Sequence, residues 1–163
     1  MSIPSNIAVV DTETTGIDTK TARIVEFAIH NDYGVSYSTL VNPDMPIPPE
    51  TSAVHHISNE DVMDYMKWEH RLPEVLDLIR ANGITTLVAH NVAYDREILG
   101  PAFEVAWICT YKCALRQWPD APSHKNEALR YWLNLQPNGR HYSQQSHSAL
   151  HDAKITYQLL NEL

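Results

Sequence analysis

The sequence predicts an α/β domain built on a mixed β-sheet, and three observations carry that prediction. The short apolar run Ile7-Ala8-Val9-Val10 ends abruptly in polar residues, as a buried central strand does. Two β-rich runs, residues 24–30 and 35–41, flank the turn signal Asp32-Tyr33-Gly34, which predicts an antiparallel hairpin. Further on, short apolar strands alternate with helical segments, the pattern of parallel strands joined by crossovers.

The remaining elements follow in order. Residues 42–49 hold Pro43, Pro46, Pro48 and Pro49 and read as a surface loop. Ser58-Asn59-Glu60-Asp61 looks like a helix start with acids in its first turn. Residues 72–81 read as a helix stopped by Asn82-Gly83. A strand at 85–89 leads to a helix at 92–99, closed by Gly100-Pro101. Residues 105–110 supply a fifth strand, 111–118 and 126–135 two helices separated by Pro119 and Pro122, and 148–163 the last helix.

A chain of 163 residues is the size of one domain, here taken as 1–163, and can bury a core without disulfide staples. Its composition, 44% hydrophobic and 20% charged, is ordinary for a globular protein. No apolar run approaches the roughly 20 residues of a membrane span. The first six residues lack the basic start and apolar stretch of a signal peptide, so a cytoplasmic location is expected. Cys109 and Cys113 are four apart, which suits two reduced thiols better than a zinc or redox motif. The nine histidines show no paired metal spacing with them. A net charge of −8 argues against a protein that coats nucleic acid through a basic surface. The charge is uneven, however: residues 110–141 carry Lys112, Arg116, Lys125, Arg130 and Arg140 against Asp120 and Glu127. A local basic stretch of this kind can hold a phosphate strand.

The carboxylates carry the chemistry. In an extended strand, residues two apart share a face, so Asp11 and Glu13 project together from the carboxyl end of the first strand. Ligands of open α/β sheets gather at that end. Two neighbouring carboxylates repel unless a cation lies between them, and a hard ion such as Mg²⁺ or Mn²⁺ takes oxygen ligands. Gly16 is expected to free the backbone to turn away. A lone Asp-x-Glu would be two solvated acids at a strand end. The full string Asp-Thr-Glu-Thr-Thr-Gly after four apolar residues is far more specific. Asp95, in His90-Asn91-Val92-Ala93-Tyr94-Asp95, falls in the first turn of a helix. In His147-Ser148-Ala149-Leu150-His151-Asp152, a spacing of five does not align on one helix. His147 is therefore expected before or at the helix start and Asp152 one turn in, so that both face one point. His151 should point elsewhere.

These three strings, in this order, resemble the motifs of the DnaQ-like DEDDh 3′→5′ exonuclease family, over about residues 7–160. Leu40-Val41-Asn42-Pro43, Ala53-Val54-His55-His56-Ile57, Trp107-Ile108-Cys109-Thr110 and Trp118-Pro119 make the chain most similar to its bacterial exonuclease X branch. The resemblance implies a ribonuclease H-like fold, a mixed five-stranded sheet flanked by helices. It implies Asp11, Glu13, Asp95 and Asp152 as metal carboxylates and His147 as general base. Thr14, Thr15, His55, Ile57 and His90 match positions near the terminal nucleotide, and Glu26 matches a supporting strand glutamate. Relatives often have glycine where this chain has His56, which would reshape the loop that grips the terminal base. Some exonuclease X proteins also carry a C-terminal extension that does not follow here.

The implied reaction uses two Mg²⁺ or Mn²⁺ ions about 3.5–4 Å apart across the scissile phosphate. One is shared by Asp11, Glu13 and Asp152, the other held by Asp11 with Asp95 acting through water. His147 deprotonates the attacking water, and a nucleoside 5′-monophosphate leaves a DNA 3′ end, single-stranded or frayed from a duplex. Two other readings are an RNA-directed enzyme of the oligoribonuclease or RNase T type and a non-catalytic module that binds nucleic acid or a polymerase. The first turns on a contact to the 2′-hydroxyl that the sequence does not reveal. The second would be expected to have lost a motif residue, and all five are present.

Overall fold

The computed structural model describes residues 3–135 and 147–163, so Arg140 of the basic stretch lies outside the described residues. Strands β1 (Ile7–Thr14), β2 (Ile24–His30), β3 (Ser36–Leu40), β4 (Thr86–Ala89) and β5 (Ala106–Cys109) form one five-stranded sheet in the order β3-β2-β1-β4-β5. The β1–β2 and β2–β3 pairs are antiparallel and the β1–β4 and β4–β5 pairs parallel, so the expected mixed sheet forms. Among the described residues the helices are α1 (Pro49–His55), α2 (Asn59–Val62), α3 (Trp68–Ala81), α4 (Val92–Leu99), α5 (Thr110–Gln117), α6 (Asn126–Trp132) and α7 (Ala149–Glu162).

Strand alternation sorts the core onto two faces. Ala8, Val10, Phe27, Ile29, Leu87 and Ala89 pack with Val75 and Ile79 of α3 and Leu99 of α4. Val9, Ala28 and Val88 point the other way and pack under Ala149, Ala153 and Tyr157 of α7. Because the strand period is two, Asp11 and Glu13 continue the Val9 row and reach the face that α7 covers. α5 and α6 back onto α7 through Ala114, Leu129, Ile155 and Leu159. β4 pairs with β1 only as far as Val9. Residues 11–14 therefore run past the end of β4, which leaves room beside them for the first turn of α4.

The structure corrects several expectations about elements. Residues 49–55 form helix α1, where the sequence reading ended a loop at Pro49 and placed no element before Ser58. Proline breaks a helix interior but suits the first helical position, where its missing N–H costs nothing, and Pro49 occupies that position. α3 begins at Trp68, before the expected residue 72, and contains Pro73. Trp68 holds that first turn, packing on Phe27 at 5.3 Å and stacking with Phe103 at 6.4 Å between ring centroids. The third strand, α6 and the segment 105–110 also end short of expectation, and Thr110 opens α5 instead of closing β5. Cys109 and Cys113 are free thiols, and no described helix is long and apolar enough to cross a membrane.

Candidate active site

Three elements deliver four carboxylates to the carboxyl end of β1. Asp11 and Glu13 come from β1 itself, Asp95 from the first turn of α4 and Asp152 from the first turn of α7. Glu13, His147 and Asp152 each offer a ligand atom within 4.8 Å of the other two. Asp11 lies close enough to Asp152, Asp95 and Glu13 to feel the charge of each. His147 is exposed, precedes α7 by two residues and takes a left-handed conformation, φ 68°. It thus bends in over Asp152 from outside the helix, as its spacing required.

The electrostatics are those of a site built for a cation. Burial first, then repulsion from Asp152, Asp95, Glu13 and Glu26, holds the Asp11 carboxyl well above the usual range. Burial and the same neighbours push Glu13 up to about 8. Asp95 and Asp152 are each pushed up to about 7, chiefly by burial. One Asp152 oxygen, Oδ1, is buried with no hydrogen-bond partner. A buried carboxylate oxygen without a partner is costly, and an oxygen-only donor set fits a hard divalent ion. The residues present therefore fit such a metal.

Neighbouring side chains aim the acids. Thr12 Oγ1 donates to Asp95 Oδ1 at 3.1 Å, the link across the gap beyond β4. Glu26 Oε2 accepts the Ala149 N–H at 2.9 Å and pins the start of α7 to β2. Its carboxyl is raised by burial, and that backbone bond opposes the rise. The β1–β2 register shifts between Glu13 and Thr14, a bulge that re-aims the strand end.

Gly16 lies where the chain leaves β1, but its backbone is not left-handed and a Cβ there would meet nothing within 4 Å, so the turn does not need a glycine. The turn is held by other groups. Tyr94 Oη donates to the Gly16 carbonyl at 2.6 Å and lies 2.5 Å from Thr14 Oγ1, which also bonds that carbonyl at 2.8 Å. Sequence reasoning passed over Tyr94, although it sits beside Asp95 in the quoted string. Tyr94→Phe should cost about 1 kcal/mol of stability, the usual value of one such bond, which thermal unfolding would detect.

The expected nucleotide-contact residues divide. His55 is buried at 6% exposure, accepts the Ile57 N–H at Nδ1 (3.0 Å) and leaves Nε2 without a hydrogen-bond partner. Burial lowers its pKa, with the Thr14 backbone opposing and His56 and His147 adding to the fall, so it borders the site. His56 follows it at φ 59°, capping α1 by donating its N–H to the Ser52 carbonyl. This left-handed position is one where glycine is most at ease. Thr15 is buried and spans the strand end, its Oγ1 accepting the Arg23 N–H at 3.0 Å. Ile57 is buried with Val25, Ile47 and Val62. His90 is a strut, with Nδ1 3.0 Å from Thr110 Oγ1 and Nε2 donating to the His124 carbonyl at 2.7 Å.

Comparison with known proteins places this geometry. A family model described as Exonuclease matches residues 8–160. The chain is 35% identical to Exodeoxyribonuclease 10 of Escherichia coli K12, over 96% of this chain and 68% of that protein. It is 28% identical to DNA polymerase III subunit epsilon of Treponema pallidum, over 94% of this chain and 74% of that one. Among solved structures it resembles exonuclease X in complex with 5′ overhanging duplex DNA, with a TM-score of 0.77 and 36% identity over 96% of this chain and 89% of that one. It shares its fold with the nuclease domain of 3′hExo, a DEDDh family member bound to rAMP. That match has a TM-score of 0.75 at 17% identity, over 96% of this chain and 90% of that one. The fold is ribonuclease H-like.

Proposed function

The chain belongs to the exonuclease family, and on that premise we propose that it removes nucleoside 5′-monophosphates from DNA 3′ ends, one at a time. One observation carries the reading: acids from β1, α4 and α7 converge beside His147, burial raises all four, and repulsion from the other acids adds to the rise at Asp11 and Glu13. The family match over residues 8–160 supports reading 1–163 as one exonuclease domain. The substrate named for the E. coli relative and the duplex bound to exonuclease X support DNA. A cytoplasmic location belongs to the same proposal.

Asp11, Glu13, Asp95 and Asp152 would hold two Mg²⁺ or Mn²⁺ ions, which when bound supply charge stabilisation at the phosphate and a more acidic attacking water. The protein's own groups do the rest. His147, exposed at the mouth and within 4.8 Å of Glu13 and Asp152 ligand atoms, takes the proton from that water. Thr12 and Glu26 keep Asp95 and α7 in register. Thr14 and Thr15 shape the strand end, and buried His55, whose Nε2 has no close partner, would back the pocket of the terminal nucleotide. Ile57 and His90 would frame it, the first as an apolar wall and the second as a ring held between β4 and α5.

Matched DNA and RNA oligonucleotides, labelled at either end and incubated with Mg²⁺ or Mn²⁺, test this. The 3′ label should appear at once as mononucleotide while a 5′-labelled strand shortens stepwise, DNA faster than RNA. No turnover with either ion, or faster loss of RNA, overturns the reading in whole or in substrate. In the same assay His147→Ala should lower kcat roughly 10²–10⁴-fold, the usual contribution of a general base.

A further inference from the structure

Next to Asp152 lies a second polar group that the proposed reaction does not use. Arg130 and Glu127 of α6 form an ion pair at 3.2 Å, and His151 of α7 stands against both. His151 Nε2 is 3.2 Å from Glu127 Oε1 and 3.3 Å from Arg130 Nη1. All three side chains are largely buried, with 18, 26 and 11% of the Arg130, Glu127 and His151 side chains exposed. Ligand atoms of Glu127, His151 and Asp152 fall within 4.8 Å of one another. Asn126, at the start of α6, donates from Nδ2 to the Asp152 carbonyl at 3.2 Å.

α6 does not need this group to dock. Leu129, Ile155, Leu159 and Ala114 already join α5, α6 and α7 through apolar contact. A buried ion pair is a poor way to add stability, since desolvation offsets most of the attraction. What the trio does supply is direction. His151 is the residue before Asp152, so anchoring its ring to α6 fixes the rotation of the first turn of α7, and with it the bearing of the Asp152 side chain. Asp152 Oδ1 has no hydrogen-bond partner, so the bearing of this side chain depends the more on the backbone of the first turn.

We propose that Glu127, Arg130 and His151 are positioning residues that orient Asp152 and thereby set the affinity of the site for its divalent ion. This rests on the metal site proposed above. Partners of metal ligands typically govern 10–100-fold in affinity. The test is titration of the whole protein with Mn²⁺ alone, without nucleic acid, followed by calorimetry. Glu127→Ala should weaken Mn²⁺ binding by about 10–100-fold. Glu127→Gln, which keeps an acceptor for Arg130 and His151 but loses the charge, should restore most of it. Arg130→Met should behave like Glu127→Ala, and covers the case in which that variant does not fold. Unchanged Mn²⁺ affinity in folded Glu127→Ala or Arg130→Met overturns the proposal. So does equal weakening in Glu127→Ala and Glu127→Gln, which would assign the effect to charge and not to position. If the unaltered protein binds no Mn²⁺, the metal site itself fails, a result distinct from either.

Discussion

Asp11→Asn should abolish turnover and, in the same protein, raise the melting temperature of the metal-free state. Asp11 sits between the acids of β1, α4 and α7, close enough to all three for their charges to raise its pKa. In the proposed reaction it is the carboxylate both ions share, and an amide cannot replace its charge. Metal stabilisation of a transferring phosphate contributes several kcal/mol. At about 1.36 kcal/mol per tenfold in rate, the loss should be on the order of 10³-fold or more. The gain in stability has the same origin with the opposite sign. Without metal, an ionised Asp11 is desolvated and repelled by its neighbours, and Asn removes both penalties at nearly constant shape. Each kcal/mol recovered is worth about 2–4 °C at this chain length. Paired rate and melting measurements check both halves. Retained activity would remove Asp11 from the reaction, and a lower melting temperature would contradict the crowding of charge.

Chelation should stop the reaction and leave a protein that melts at lower temperature as pH rises from about 7 to 8.5. Glu13, Asp95 and Asp152 hold their protons up to about 8, 7 and 7 when folded, against ordinary values near 4. Between the two ranges the native state binds more protons than the unfolded chain, so native stability falls with increasing pH. Burial lowers His30, His55, His90 and His151, which act the other way. Their effect is complete near the ordinary histidine value of about 6.5, so the upper window isolates the acids. Saturating Mn²⁺ or Mg²⁺ should flatten the slope, because the bound ion stabilises the ionised forms. A melting temperature that climbs through this window without metal would sink the account.

Much of this was written in local patterns. The apolar run ending in Asp11-Thr12-Glu13 placed two acids on one face, and the Val9 row under α7 bears that out. The five-residue spacing from His147 to Asp152 put the histidine before or at the helix start, and α7 starts between them, at Ala149. Gly16 was expected to free the backbone to turn away, and hydrogen bonds from Thr14 and Tyr94 to its carbonyl hold that turn. Proline misled at Pro49, where it opens a helix.

Strand alternation, helix spacing and motif order were enough to name the fold, the family and the five residues proposed for catalysis. Each depends on neighbours a few positions apart, or on residue types that few other sites would assemble. The contacts that aim those residues were settled by packing. Thr14 meets Tyr94 across 80 positions, Glu26 meets Ala149 across 123, and Glu127 meets His151 across 24. Such pairs depend on how a helix is rotated and seated on its sheet, a quantity set by the whole core and carried by no local period.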